Sequence, residues 1–259
     1  MQKRNENSAL RKKYILRLIA RCAIFIAAVA LFIFIRDEFE ILEGFNFFTR
    51  FSIFHLLWIV WVADMIFQLV PVKNKIPIGS QKHLKYHFKH AKERINKDAL
   101  KKYIVDTTKS AYKVMILWCT LIAALGIFYF TKLIKADHLL MISIFFYVAD
   151  LICVLVWCPF RLMMGTRCCT TCRIFNWDHF MMFSPLMFVG GFFSISLFVM
   201  SVIVLAFWEF CVFVYPERFW EGSNTALKCS ECTDKLCTQY CKKIRRKPLP
   251  EFDFKEDEK

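Results

Sequence analysis

The chain has 259 residues, 57% of them hydrophobic, and carries a formal net charge of +14. Soluble domains run about 45–50% apolar; here the excess comes in blocks of bilayer length, which excludes an ordinary soluble domain. Only 7 Gly and 7 Pro are present, which excludes a linker-rich chain, and the positive charge sits outside the apolar blocks. That pattern points to anionic lipid and cytoplasmic loops rather than to nucleic acid.

Basic residues Lys3, Arg4, Arg11, Lys12, Lys13 and Arg17 precede the first apolar run, 18–35. The run is long for a signal peptide, and Arg36-Asp37-Glu38-Phe39-Glu40 follows it in place of a small-residue cleavage site. It reads as an uncleaved transmembrane helix after a basic cytoplasmic segment, 1–17. A second apolar run, 51–70, completes a first helical pair.

The stretch 71–113 is the largest soluble piece and holds 12 Lys+Arg. Within it, residues 81–96 show helical periodicity, with Leu84, Phe88, Ala91 and Ile95 on one face. The spacing predicts an amphipathic helix lying on an anionic leaflet. His83, His87 and His90 share a stripe of that helix, and the lysines around them favour a solvated basic face over a metal site.

Further apolar runs cover 114–130, 139–156 and roughly 183–214. Taking the last as one helix gives five crossings and places the basic tail outside. Dividing it at Gly190-Gly191 gives six, with a short, broken crossing over 174–189 and a full span at 192–214. Six crossings put 31 Lys+Arg on the cytoplasmic side and 4 outside; five give 21 and 14. The positive-inside bias selects six, with five as the alternative. The expected fold is all-α: a polytopic plasma-membrane bundle with helices over 18–70 and 114–214 and a tail, 215–259.

Chemistry is concentrated in two cysteine runs. Cys168, Cys169 and Cys172 lie in a loop, 158–173, that begins with Cys158-Pro159. Cys229, Cys232, Cys237 and Cys241 lie in the tail, spaced C-x2-C-x4-C-x3-C. A C-x2-C pair brings two thiolates to one metal from a tight turn. Four thiolates suit an iron–sulfur cluster or zinc, and two disulfides if the tail is outside. Arg161, Arg167 and Arg173 flank the loop cysteines, an arrangement expected to favour thiolates, and Asp178 and His179 add ligands. The alternative for the loop is a tight turn in which Cys packs as a small hydrophobe. Cys22, Cys119, Cys153 and Cys211 fall in apolar helices and are expected to be inert.

Asp64 and Asp150 lie inside apolar spans, where a carboxylate is a functional hypothesis by default. Asp64 is expected to pair with Arg17 or Arg21, and Asp150, near mid-depth, is the candidate for proton or cation handling. The common nucleotide, zincin and serine-hydrolase motifs are absent.

The strings RCCTTCRIFNWDH, 167–179, and KCSECTDKLC, 228–237, resemble a group of uncharacterised bacterial multi-pass membrane proteins. Cys158-Pro159 with a cysteine-rich tail is also similar in layout to membrane-bound ferredoxin-type electron-transfer proteins. That likeness implies a cytoplasmic metal site near a quinone or a protein redox partner. Three functions follow as expectations: membrane-associated electron transfer, ion handling through Asp150, or an assembly or sensing protein with a structural zinc.

Overall fold

The computed structural model describes residues 9–70, 79–91, 95–166 and 172–228. Among these the chain is helical, and the only strand-like pairing is an isolated bridge between His90 and Asn224. Eight α-helices follow in order: α1 (Ala9–Phe34), α2 (Asn46–Thr49), α3 (Phe54–Leu69), α4 (Lys97–Phe130), α5 (Ala136–Leu155), α6 (Pro159–Met164), α7 (Asp178–Phe183) and α8 (Phe192–Val214).

Four of them, α1, α4, α5 and α8, are long and apolar enough to cross a membrane; α3 is apolar but has 16 residues. Their outer faces remain apolar: Ile19, Ile26, Phe67, Ile116, Ile203 and Phe213 are all exposed. Exposed apolar surface on this scale is what a lipid-facing bundle requires. The interior is filled by large aromatics, with Trp61, Phe183, Phe193 and Trp208 fully buried. Trp61 packs against Phe183 at 4.9 Å between ring centroids and edge-on against Tyr147 at 5.7 Å.

The two ends of the bundle differ in charge. One carries the start of α1, the end of α3, the start of α4, the end of α5 and the end of α8, with Arg11, Lys12, Lys13, Lys101, Lys102 and Arg218. The other carries Asp37, Glu38, Glu40 and Glu43 after α1 and Asp137 at the start of α5, with four basic residues, Arg36, Arg50, Lys132 and Lys135. α4 is 34 residues long, about 51 Å at 1.5 Å per residue. That exceeds a hydrocarbon core of about 30 Å, so its lysine-bearing first turns extend past the apolar zone. Asn96 caps this helix, its side chain accepting from the amides of Asp98 and Ala99.

The apolar run 183–214 is not one helix. Residues Arg173–Trp177 form a 3-10 turn, α7 follows, and Ser184–Phe188 form a second 3-10 turn before the chain opens at Gly190 and Gly191. This broken rod lies beside α4 from one end of the bundle to the other. Arg173 bonds Thr108, the Trp118 indole donates to Ser184 at 3.0 Å, and Phe188 packs edge-on against Phe130. At its far end a Cβ on Gly191 would lie 1.9 Å from the Leu42 carbonyl oxygen, so only glycine lets α8 begin there.

Among the described residues of 81–96 the expected amphipathic α-helix does not form. Its described part holds 3-10 turns at Gly79–His83 and Lys85–His87, then extended backbone. Long-range bonds replace the helical ones. The Asn224 amide donates to the carbonyls of Lys82 and Arg218, and its oxygen accepts from the amides of Lys89 and Ala226. Ala91 N–H donates to the Ser223 carbonyl, and Thr225 N–H to that of Lys89. The loop is thus stapled to the segment after α8.

His83 is not on a solvated face either. It is buried, stacked on Phe219 at 4.5 Å, and its Nδ1–H donates to the Arg218 carbonyl at 3.2 Å. Burial lowers its pKa to about 4.

Candidate functional site: a buried ionic cluster beside a thiol-lined cavity

Toward the basic end, α1, α3, α5 and α7 bring five ionisable side chains together. Arg21 of α1 donates from Nη1 to Asp150 Oδ2 of α5 at 2.8 Å and to the Tyr147 carbonyl at 2.6 Å. Its Nη2 lies 3.7 Å from Asp64 Oδ2 of α3. The guanidinium sits over the Tyr147 ring, 3.8 Å from the centroid, adding a cation–π contact. Arg21 and Asp150 are largely buried, with side-chain exposures of 11% and 14%.

The second half of the cluster stands on α7. Asp178 Oδ1 accepts from His179 Nδ1 at 2.9 Å, from the His179 amide at 2.7 Å and from Gln68 Nε2 of α3 at 3.3 Å. Three donors on one oxygen hold the carboxylate in place. His179 also feels the fields of Asp64 and Asp150, so the two halves form one electrostatic unit. Three carboxyl groups thus face one guanidinium and one imidazole.

Sequence reasoning joined Arg21 to Asp64. The closer partner is Asp150, which lies in the last third of α5.

A cavity of about 220 Å³ opens beside this cluster. Asp150 and Asp178 line it together with Trp118, Phe146, Met181 and Met182; Cys153, Cys158 and Cys172 line it toward the basic end. Cys153, expected to be inert, is therefore a cavity residue, and its thiol lies within hydrogen-bond reach of that of Cys158. The local chain explains the pairing. α5 ends at Leu155, and Pro159 opens α6. Proline restricts Cys158 to extended backbone, observed at φ −120° and ψ 120°, and the reversal folds it back toward Cys153.

Cys172 behaves otherwise than its flanking arginines suggested. It is buried with Ala111, Val114, Ile174 and Trp177, and burial pushes its thiol up to about 11. Arg173 does not face it as a thiolate partner: its guanidinium forms a fork on Glu209 of α8, whose Oε1 also accepts from the Trp177 indole at 2.7 Å. Arg161 donates to the Thr166 carbonyl at 3.1 Å. Cys172 thus fits the packed-turn alternative.

Cys168, Cys169 and Arg167 of the loop, and Cys229, Cys232, Cys237 and Cys241 of the tail, lie outside the described residues. Among the described residues, no group of three or more His, Cys, Asp or Glu side chains has metal-site geometry. Sequence reasoning missed Glu209. The signal was present, since it is the single charged residue between Phe192 and Val214.

No protein-family model matches the chain, and no curated protein or solved structure matches it.

Proposed function

We propose that this chain is a six-crossing plasma-membrane protein, both termini cytoplasmic, that handles protons or small cations through the Arg21–Asp64–Asp150–Asp178–His179 cluster. The sixth crossing is the broken rod 173–188. Two 3-10 turns of five residues and a six-residue α-helix rise about 29 Å, close to a hydrocarbon core of about 30 Å. A continuous α-helix of that length would fall about 6 Å short. The charge asymmetry of the two ends supports a cytoplasmic basic end.

The observation that carries the cation-handling reading is the double role of Asp150. Its carboxylate bonds Arg21, and the same residue lines the cavity. A proton or cation arriving there competes directly with the guanidinium for the carboxylate. Ionisable groups packed inside a membrane bundle are the usual machinery of such exchange. The test is reconstitution into liposomes carrying an internal pH dye, with a potassium diffusion potential as the driving force. Wild-type protein should move protons faster than empty liposomes, and Asp150→Asn should return the rate to background. Equal rates for both proteins would overturn the reading.

A second reading rests on a different observation. The segments that lead into the two cysteine runs lie at the same end of the bundle: Tyr103 of α4 is near both Cys172 and Glu221, and its ring lies 6.1 Å from that of Trp220. On this reading Cys168, Cys169, Cys229, Cys232, Cys237 and Cys241 hold an iron–sulfur cluster or zinc at the cytoplasmic face. An iron–sulfur cluster would serve a quinone or a protein redox partner; zinc would staple an assembly or sensing tail. Metal content and a visible spectrum of anaerobically purified protein separate iron–sulfur from zinc, and metal-free protein rejects both.

Anionic lipid is the partner proposed for the basic end. A cavity of about 450 Å³ between the start of α4 and the end of α8 is lined by Lys97, Lys101, Tyr112 and Phe213. Cations above an apolar wall suit a phosphate headgroup and its acyl chain.

A further inference from the structure

We infer that Cys153 and Cys158 form a two-coordinate site for a thiophilic monovalent cation, of the Cu(I) or Ag(I) class, at the basic end of the 220 Å³ cavity. This deepens the cation-handling reading and rests on it for its role, though not for the binding itself.

Four observations carry it. The two thiols lie within hydrogen-bond reach of each other, five residues apart across the α5–α6 reversal. Neither is sealed in the core, since both are half-buried and border the cavity. The rest of the wall is chemically soft or apolar: Cys172, Met181 and Met182 supply sulfur, and Trp118, Phe145, Phe146 and Phe160 supply rings. Among the described residues no group of three or more His, Cys, Asp or Glu side chains has metal-site geometry, whereas hard divalent cations take about six or more oxygen ligands. Sulfur ligands select the soft ions. A d10 monovalent ion is satisfied by two thiolates in a line, so the absence of a three-ligand cluster is no obstacle.

The reaction balances without a redox partner. Two S–H bonds break, two S–metal bonds form, two protons leave, and no electron moves. The cation and two thiolates together carry one negative charge. The two protons pass to the surrounding buffer through the open side of the cavity.

The test uses silver, which is redox-inert under these conditions. Full-length protein is purified in detergent with its thiols reduced, given one equivalent of Ag(I), and alkylated with N-ethylmaleimide, with each cysteine read by peptide mass spectrometry. The expected footprint protects Cys153 and Cys158 together and leaves lipid-facing Cys119 unprotected. In a background where Cys168, Cys169, Cys229, Cys232, Cys237 and Cys241 are serine, one silver per chain should survive dialysis, and C153S or C158S should remove it. Alkylation of Cys153 and Cys158 that silver does not change, silver retention indifferent to both substitutions, or a Cys153–Cys158 disulfide that persists in reductant would each overturn the site. The footprint on unsubstituted protein decides the matter if the six-serine chain does not fold. Silver binding without Asp150-dependent flux would leave this site standing and remove the transport reading. Flux without silver binding would do the reverse.

Discussion

Arg21 and Asp150, 129 residues apart in sequence, are joined at 2.8 Å inside the bundle, and the same guanidinium reaches Asp64 at 3.7 Å. One cation therefore ties α1 to both α3 and α5. Removing it leaves Asp150 buried without its charge partner, which typically costs about 3–5 kcal/mol. Arg21→Met should lower the thermal unfolding temperature in detergent substantially. Arg21→Met combined with Asp150→Leu should recover much of the loss, because the buried carboxylate is then gone and only the more exposed Asp64 lacks its partner. A double variant as unstable as Arg21→Met alone would mean that the pair is not the source of the effect.

Gly191 tests the junction that divides the last apolar run. A Cβ there meets the Leu42 carbonyl carbon and oxygen, whereas one on Gly190 meets nothing within 4 Å. Backbone cannot yield as a side-chain tip can, so Gly191→Ala should destabilise by about 1–3 kcal/mol. Gly190→Ala should stay within about 0.5 kcal/mol. Denaturant unfolding of the two variants checks the contrast, and equal losses would show that the start of α8 is not held against the turn after α1.

The apolar runs were legible because a bilayer demands about 20 apolar residues per helix, and Gly190-Gly191, with Pro185 just before it, marked the break in the last run. The identity of ion-pair partners was not legible. Arg21 could be matched to Asp64 by depth alone, but its preference for Asp150 depends on how α1 and α5 rotate about their axes, which periodicity does not encode. The loop 81–96 misled for a related reason. Leu84 and His83 each fall on a helical repeat, yet His83 stacks on Phe219 and the Asn224 amide donates to the Lys82 carbonyl, both from more than 130 residues away, and Leu84 is buried in the main core. The thiol pair Cys153–Cys158 was hidden because its geometry comes from the Pro159 reversal and not from a recognisable spacing.

His83 makes the basic end pH-sensitive. Its folded pKa is lowered from 6.5 to about 4 by burial, with the neighbouring Lys82 charge acting in the same direction. Above pH 6.5 the imidazole is neutral in folded and unfolded chains, and stability does not depend on it. Between pH 6.5 and about 4 the unfolded chain binds a proton that the folded chain refuses, so stability falls as pH falls. A shift of about 2.5 units corresponds to about 3 kcal/mol. His83→Phe should flatten that part of the stability–pH curve. A wild-type curve that is already flat from pH 6.5 to 4 would place His83 in contact with water.

Cys172 separates a packed thiol from a ligand-ready one. Its pKa is raised from 9.0 to about 11, and alkylation proceeds through the thiolate. Two units reduce the thiolate fraction at neutral pH about 100-fold relative to an unperturbed thiol. Burial against Ile174 and Trp177 slows access further. In the native protein at pH 7, N-ethylmaleimide should therefore label Cys158, which is half-buried at the cavity rim, well before Cys172. Mild denaturant should erase the difference, because Cys172 then loses its burial and returns to ordinary ionisation. Rapid native labelling of Cys172 would instead mean that Arg161 and Arg167 act on its thiolate as the flanking sequence suggested, and that the cysteine belongs with the metal ligands after all.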